Sequence, residues 1–186
     1  MQGYNCQAVT SSDGLIIATS VSPSPPDTDT FIPMMGKAVA AAALITSRQP
    51  DAATEPSPHG GIELLLADAG YLSKANLTAP GPDRLIAVGK RRALERQARE
   101  NPATPTDPTD PDDPVAAMAT RLRTPDGITA YRQRGHIAET PFGHAKHNLG
   151  FRRFTGRGQT RAAAEFTFHA TIHNLSKAIT HLRNTT

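Results

Sequence analysis

Apolar and polar positions near the start of the chain predict a β-hairpin. Residues 4–9 and 15–21 are rich in apolar and β-branched side chains, and a Ser-Ser-Asp-Gly sequence at 11–14 separates them. Two such runs around a turn sequence are typical of antiparallel strands. Leu15, Ile16 and Ile17 are apolar in succession, which predicts a second strand that is buried on both faces in the middle of a sheet.

The middle of the chain alternates between helical and strand-like segments. Residues 31–47 predict a helix that Asp29 or Thr30 caps. Residues 62–67 and 84–88 predict two strands, with a short helix starting near residue 73 between them. This order is typical of an α/β fold, in which a right-handed crossover places both strands in one sheet.

Two other segments have the composition of loops. Residues 50–61 predict a loop. Residues 101–114 contain five prolines and four aspartates, so regular hydrogen bonding and burial are both unfavourable. We expect 101–114 to be a disordered insertion that can be deleted with little effect on the fold.

Helical patterns dominate the last third of the chain. Residues 115–123 and 129–134 predict two helices with a break at 125–127, and residues 161–182 give the strongest pattern. In this last segment apolar residues recur at steps of four and three, which predicts a helix that packs on the sheet through one apolar stripe. Two heptads are too few to predict a coiled coil. The stripe consists of Phe168, Ile172, Leu175, Ile179 and Leu182.

Length and composition narrow the class of protein. With 186 residues and 38% apolar content, one domain with long loops is expected. The net charge is only +3, so binding to a polyanion requires local clustering of charge. Cys6 is the single cysteine, which excludes an intrachain disulfide and predicts a reducing, cytoplasmic compartment. The eight-residue apolar run at 38–45 is too short to cross a bilayer, so no membrane partner is expected.

Asp68 and Glu139 are the candidate catalytic acids. Asp68 follows an apolar strand, at the sheet edge where open α/β folds bind ligands; alternatively it closes a turn or caps the next helix. Glu139 is the only acid between Asp126 and Glu165, and its alternative role is a surface ion pair. Pro141 follows Glu139 closely, so it lies either in the first turn of a helix or at a kink.

A stretch without acids follows Glu139 and suits a phosphodiester backbone. Residues 140–164 have no Asp or Glu and combine basic side chains with Phe151, Phe154 and four glycines. Guanidinium groups bind phosphates in a bidentate manner and glycines allow close approach, although a solvated basic face is the alternative. We call the five basic residues the basic tract: Lys146, Arg152, Arg153, Arg157 and Arg161.

Several motifs in order along the chain resemble the C-terminal part of bacterial insertion-sequence transposases of the DDE type. The hairpin start looks like that family's glycine-tyrosine-asparagine strand, and residues 65–71 look like the strand that bears its second catalytic aspartate. The spacing of Tyr131, Arg134, Glu139 and Lys146 is similar to the family's signature around the third acid. Further matching motifs are Asn148-Leu149-Gly150-Phe151-Arg152-Arg153-Phe154 and His173-Asn174-Leu175.

The resemblance implies an RNase H-like mixed sheet flanked by helices, in one partial catalytic domain over residues 1–186. It also implies DNA strand cleavage and transfer by two Mg²⁺ or Mn²⁺ ions, held by Asp68 and Glu139, in a homo-oligomer bound to transposon ends and target DNA. The residues expected to contact DNA are Tyr131, Arg134, Lys146, Arg152, Arg153 and Arg157.

The chain departs from the family pattern in two places. Four residues separate Arg134 from Glu139, where the best-known signature has three. The family's first aspartate comes from a strand upstream of the hairpin motif, and Asp13, Asp27 and Asp29 are not expected to replace it because none ends a buried strand. The resemblance therefore implies a truncated, inactive copy that lacks the first sheet strand. The alternatives are a non-catalytic fragment that binds DNA through the basic tract and an unfolded remnant.

Overall fold

The chain forms two compact units. The computed structural model describes residues 3–48, 57–107, 110, 112–148 and 150–185. Met1–Pro25 and Gly135–Thr186 form one unit, which we call the hairpin unit, and Pro26–Arg134 form the other, the middle unit. That residues 1–186 form one partial catalytic domain stays a prediction.

The predicted hairpin is confirmed in the hairpin unit. Strand β1 (Asn5–Thr10) pairs antiparallel with β2 (Ile16–Ser22), and the register shifts after Val9. Gly14 has a φ of +83°, a turn conformation that glycine adopts without steric cost. Among the described residues β2 has one strand neighbour, so its predicted place in the middle of a sheet is not observed.

Side chains of the C-terminal helix take the place of a second strand neighbour. Helix α6 (Gln159–Thr185) packs along β2. The Asn174 carboxamide accepts a hydrogen bond from Ile16 N and donates one to Ile16 O, both at 2.8 Å. Gln159 donates to Val21 O at 2.9 Å. Backbone groups that an edge strand exposes for pairing are therefore partly satisfied within the chain.

The face of α6 that packs on β2 differs from the predicted one. Its buried residues are Ala162, Phe166, Ala170 and His173. Alanines allow the helix axis to approach β2 closely, and the bonds of Asn174 fix the rotation of the helix. The predicted apolar stripe lies on the opposite face: Phe168, Leu175, Ile179 and Leu182 are exposed and Ile172 is half-buried. The prediction that this stripe packs on the sheet is therefore wrong.

The middle unit contains the predicted strand–helix–strand crossover. Strand β3 (Leu64–Ala67) pairs parallel with β4 (Asp83–Ile86), as expected, and α2 (Lys74–Thr78) lies between them in sequence. The other α-helices that the described residues form before residue 124 are α1 (Phe31–Thr46), α3 (Arg91–Glu100) and α4 (Pro114–Arg123). The side chains of Leu85, Ile86 and Leu122 are almost completely buried in this unit.

Helix α5 (Pro125–His147) begins in the middle unit and continues into the hairpin unit. The predicted break at 125–127 is wrong, because only Thr124 separates α4 from α5. Thr124 accepts a hydrogen bond from Gly127 N, and Pro125 is the first helical residue, where its missing N–H costs nothing.

The fold class is mixed α/β, as predicted, but a single RNase H-like sheet is not observed. The described strands form two separate two-stranded sheets, one in each unit. By length and composition alone, one described helical segment, Thr28–Thr46, is long and apolar enough to span a membrane. Core helices of globular proteins satisfy the same criteria, and Phe31, Met35 and Ala38 of this segment are buried in the middle unit.

Part of the predicted insertion packs on the middle unit. Ala103 is buried and its N–H donates to Arg123 O, while Asp113 caps α4 by accepting from Val115 N and Ala116 N. Positions 108, 109 and 111 of the insertion lie outside the described residues, as do positions 50–56 of the predicted loop at 50–61. Disorder of the segment as a whole stays a prediction.

Candidate catalytic and DNA-binding residues

Asp68 lies directly after β3 at the edge of the parallel sheet, as predicted. Its Oδ1 accepts a hydrogen bond from Gly70 N at 3.0 Å and so caps a 3-10 turn, Ala69–Tyr71. The turn-closing alternative is therefore also correct, whereas the cap of α2 is Ser73. The Asp68 side chain is 45% exposed, so this bond leaves the carboxylate accessible to a ligand.

Arg134 forms an ion pair with Asp68. The guanidinium Nη2 lies 2.9 Å from Asp68 Oδ2, and the Arg134 side chain is 25% exposed. The sequence predicted that Arg134 holds phosphates near the cut. In this conformation Arg134 instead neutralises the predicted catalytic carboxylate.

A second carboxylate, which sequence reasoning set aside, lies beside Asp68. A Cβ atom built on Gly70 would be 2.8 Å from Asp27 Oδ2 and 3.1 Å from Asp68 Oδ1. Two atoms at those distances from one point are separated by at most 5.9 Å. Asp27 precedes a 3-10 turn, Thr28–Thr30, in a proline-rich loop. No local sequence pattern marked it, because the proximity depends on the fold of the middle unit.

Burial is the main cause that raises the pKa of two tyrosines, Tyr71 and Tyr131. Burial, followed by the charges of Asp27 and Asp68, raises the pKa of Tyr71 to about 12, although the charge of Arg134 acts in the opposite direction. Burial is also the largest cause that raises the pKa of Tyr131. Tyr131 is 4% exposed and packs with Leu94 and Ile128 in the core of the middle unit. Stacking of its ring on DNA is incompatible with this conformation.

Glu139 and Lys146 share helix α5. Both side chains are exposed, and neither forms an ion pair with another described residue. Pro141 lies inside α5, so of its two alternatives the place in a first helical turn is excluded. Glu139 belongs to the hairpin unit and Asp68 to the middle unit. That the two carboxylates share a cation stays a prediction.

Most of the basic tract is available to a ligand. Lys146, Arg152, Arg153 and Arg157 are exposed and make no ion pair within the described part of the chain, whereas Arg161 pairs with Glu165 at 3.2 Å. Phe151 and Phe154 make an edge-to-face contact, with ring centroids 5.3 Å apart, and belong to the apolar cluster of the hairpin unit. The two aromatic rings thus support the segment structurally. Leu149 of the matching motif lies outside the described residues.

The carboxylate oxygens of Asp27 and Asp68 are ligands of the type that hard divalent cations prefer. Mg²⁺ prefers carboxylate oxygens and tolerates sites with only one or two of them. The described residues contain no group of three or more potential metal ligands. The pair alone is smaller than such a group, and a two-metal arrangement would require a further acid.

Comparison with known proteins links part of the chain to a protein family. The family model described as a transposase DDE domain matches residues 95–179. This segment contains Glu139, Lys146 and the rest of the basic tract, while Asp27 and Asp68 precede it. No curated protein and no solved structure matches the chain.

Proposed function

Since residues 95–179 belong to the transposase DDE domain family, we propose that the chain acts on DNA in the strand cleavage and transfer steps of transposition. The observation that carries the proposal is the family match, because the matched segment holds the isolated acid Glu139 and the exposed basic tract. A DNA substrate and a cytoplasmic location in the cell follow from the same proposal.

We propose that Asp27, Asp68 and Glu139 together hold the divalent ions. Asp27 and Asp68 are at most 5.9 Å apart at their nearest oxygens, and Glu139 is an exposed carboxylate without an ion pair among the described residues. Bound Mg²⁺ or Mn²⁺ would activate the attacking oxygen and stabilise the leaving oxygen. Asp27 thereby supplies the third acid that the sequence left unassigned.

In this proposal, positively charged residues bind the DNA phosphates and neutralise the charge of the carboxylates. Lys146, Arg152, Arg153 and Arg157 project free charges that suit consecutive phosphates. Arg134 is the counter-charge of Asp68 in the absence of DNA, and its guanidinium matches the geometry of a phosphate once the carboxylate has another counter-charge. Tyr131 lies three residues before Arg134 on α5 and supports it from the core instead of stacking on DNA.

The metal site is tested by titration of Mn²⁺ into the chain and into three variants: Asp27→Asn, Asp68→Asn and Glu139→Gln. Each variant is expected to lower Mn²⁺ affinity at least tenfold, because each removes one negative ligand. Asp29→Asn is the matched control, since Asp29 is exposed and lies two residues from Asp27. Equal affinities of the Asp27 and Asp29 variants would remove Asp27 from the site.

The same titration separates two views of the chain. The sequence-based expectation of an inactive copy predicts that Asp27→Asn has no effect on Mn²⁺ binding or on metal-dependent DNA cleavage. The catalytic proposal predicts instead that Asp27→Asn weakens Mn²⁺ binding and abolishes metal-dependent DNA cleavage.

A second candidate function is DNA binding without catalysis. It is favoured by the Arg134–Asp68 ion pair, which already neutralises one of the acids. Under this alternative, DNA affinity in EDTA equals that in Mg²⁺, and Asp68→Asn leaves it unchanged. Under the catalytic proposal, Mg²⁺ strengthens DNA binding and the Asp68 and Glu139 variants abolish that increase.

A further inference from the structure

Three arginines of the basic tract lie on one segment that is neither helix nor strand. Residues 150–158, which we call the basic loop, lead from α5 to α6 in the hairpin unit and contain Arg152, Arg153 and Arg157. A flexible loop loses conformational freedom when it binds a ligand, and this loss weakens the affinity. The affinity of the basic loop for phosphates therefore depends on what holds the loop in place before DNA arrives.

Hydrogen bonds and apolar contacts fix the two ends of the basic loop. Phe151 N donates to Ala145 O at 2.9 Å, and Gly158 N donates to the Tyr4 hydroxyl at 3.1 Å. The rings of Tyr4 and Phe151 also belong to the apolar cluster of the hairpin unit. These contacts leave residues 155–157, in the second half of the loop, to be held by other groups.

Glu165, in the second turn of α6, holds this part of the loop. Its Oε2 accepts a hydrogen bond from Thr155 N at 2.8 Å, and its Oε1 accepts one from Thr155 Oγ1 at 2.7 Å. Oε1 also accepts from Arg161 Nε at 3.2 Å. The Arg161 side chain passes so close to Gly156 that a Cβ atom added to this glycine would overlap it. One carboxylate thus binds Thr155 through backbone and side chain and holds Arg161 against Gly156.

The charge of Glu165 by itself opposes the binding of phosphates. Hydrogen bonds from Thr155 are the largest causes that hold the pKa of Glu165 below its usual range, and Arg161 acts in the same direction. The carboxylate is therefore ionised at neutral pH. If charge alone governed binding, removal of Glu165 would strengthen the affinity for DNA, because like charges repel. The contacts of Glu165 with the loop predict the opposite.

We propose that Glu165 is a positioning residue for DNA, which fixes the basic loop so that its three arginines meet the phosphate backbone as a preformed set. The inference rests on the proposed function, in which DNA is the substrate. Because the loop is ordered when the chain folds, less conformational entropy is lost when DNA binds. A negatively charged residue thereby strengthens the binding of a negatively charged substrate.

Glu165→Ala tests the proposal, because charge and positioning predict opposite results. Positioning predicts at least about tenfold weaker binding of duplex DNA in fluorescence anisotropy, although the net charge of the chain rises by one. Asp13→Ala is the matched control: it removes the same charge from an exposed side chain of the hairpin unit, in the turn between β1 and β2. The control is expected not to weaken binding. Unchanged or stronger binding by the Glu165 variant would overturn the proposal.

Thr155→Val separates the ordering of the loop from its charge. It removes one hydrogen bond to Glu165 and leaves every charge in place, so a smaller loss of DNA affinity, about threefold, is expected. The double variant with Glu165→Ala is expected to bind no more weakly than Glu165→Ala alone, because both changes remove the same contact. Losses of affinity that add in full would show that Thr155 acts independently of Glu165, against the proposal.

Backbone NMR relaxation measures the order of the basic loop without DNA. Heteronuclear NOE values of the loop amides are expected to fall in Glu165→Ala and to stay unchanged in Asp13→Ala. A basic loop that stays ordered in Glu165→Ala would overturn the positioning role, whatever the DNA result. If the loop loses order in this variant but the unaltered chain does not bind DNA, the proposed function is wrong, while the hold of Glu165 on the loop stands.

Discussion

The guanidinium of Arg134 donates a hydrogen bond of 2.9 Å to the carboxylate of Asp68. One residue is thus the counter-charge of a carboxylate that is proposed to bind metal. Under the proposed function, a divalent cation would compete with Arg134 for Asp68 Oδ2, and DNA phosphates would compete with Asp68 for Arg134. The ion pair would then couple metal binding to DNA binding through a single bond.

Replacement of Arg134 with glutamine is expected to raise Mn²⁺ affinity and to lower DNA affinity. The first effect follows because a competing cation is removed from Asp68, and the second because a phosphate ligand is lost. Arg132→Gln is the control, since Arg132 is exposed and its nearest acid, Glu95, is 4.0 Å away. Isothermal titration measures the first effect and fluorescence anisotropy the second. A fall in both affinities would show that Arg134 orients Asp68 for the metal.

Replacement of Asn174 with alanine is expected to destabilise the chain by about 1–3 kcal/mol. The two backbone groups of Ile16 that Asn174 bonds lose their partners, and an unpaired polar group costs about that much when water cannot replace the bond. Urea unfolding monitored by circular dichroism measures the change. Thr171→Ala removes only an exposed bond to Thr167 O in the same helix, and less than about 0.5 kcal/mol is expected.

Removal of charge from the basic tract is expected to reduce the salt dependence of DNA binding. With Arg152, Arg153 and Arg157 all replaced by glutamine, the slope of log affinity against log salt falls by up to about 3. The control replaces Arg91, Arg96 and Arg132, which each pair with a glutamate and lie outside the tract. A similar fall in the control would mean that overall charge, and not the exposed tract, governs binding.

Loss of the Asp83–Arg121 ion pair is expected to change acid stability. Hydrogen bonds from Arg121 hold the pKa of Asp83 below its usual range. Because the folded-state pKa is lowered, the resulting stability is present above the unfolded pKa of about 3.9 and is lost as pH falls through the folded value. Arg121→Gln therefore destabilises the chain at pH 7 but not near pH 2, as thermal unfolding at the two values shows. An equal loss of stability at both pH values would assign the effect to packing of the Arg121 side chain.

Local sequence patterns predicted the helices and strands whose formation depends on residues close together in the sequence. Ser73 and Asn76 begin α2 through a local cap, and β3 and β4 were evident as apolar runs. The orientation of α6 was not predictable in this way, because the bonds from Asn174 to Ile16 join residues that are 158 positions apart. The apolar pattern correctly identified an apolar face of α6, but that face does not pack on the sheet.

The candidate site shows the same limit. Asp68 was recognisable because it directly follows a strand. Asp27 was not, because its proximity to Asp68 arises where the proline-rich loop meets the turn at Gly70. The ion pair of Arg134 likewise spans 66 positions and leaves no local sequence signal.

Paramagnetic broadening by Mn²⁺ tests the central claim most directly. In an amide NMR spectrum at substoichiometric Mn²⁺, we expect the signals of Gly70 and Glu139 to broaden together, and Asp68→Asn to abolish both effects. One shared ion close to both residues would account for that result. Broadening of Gly70 without Glu139, or of neither, would contradict a site built from Asp27, Asp68 and Glu139.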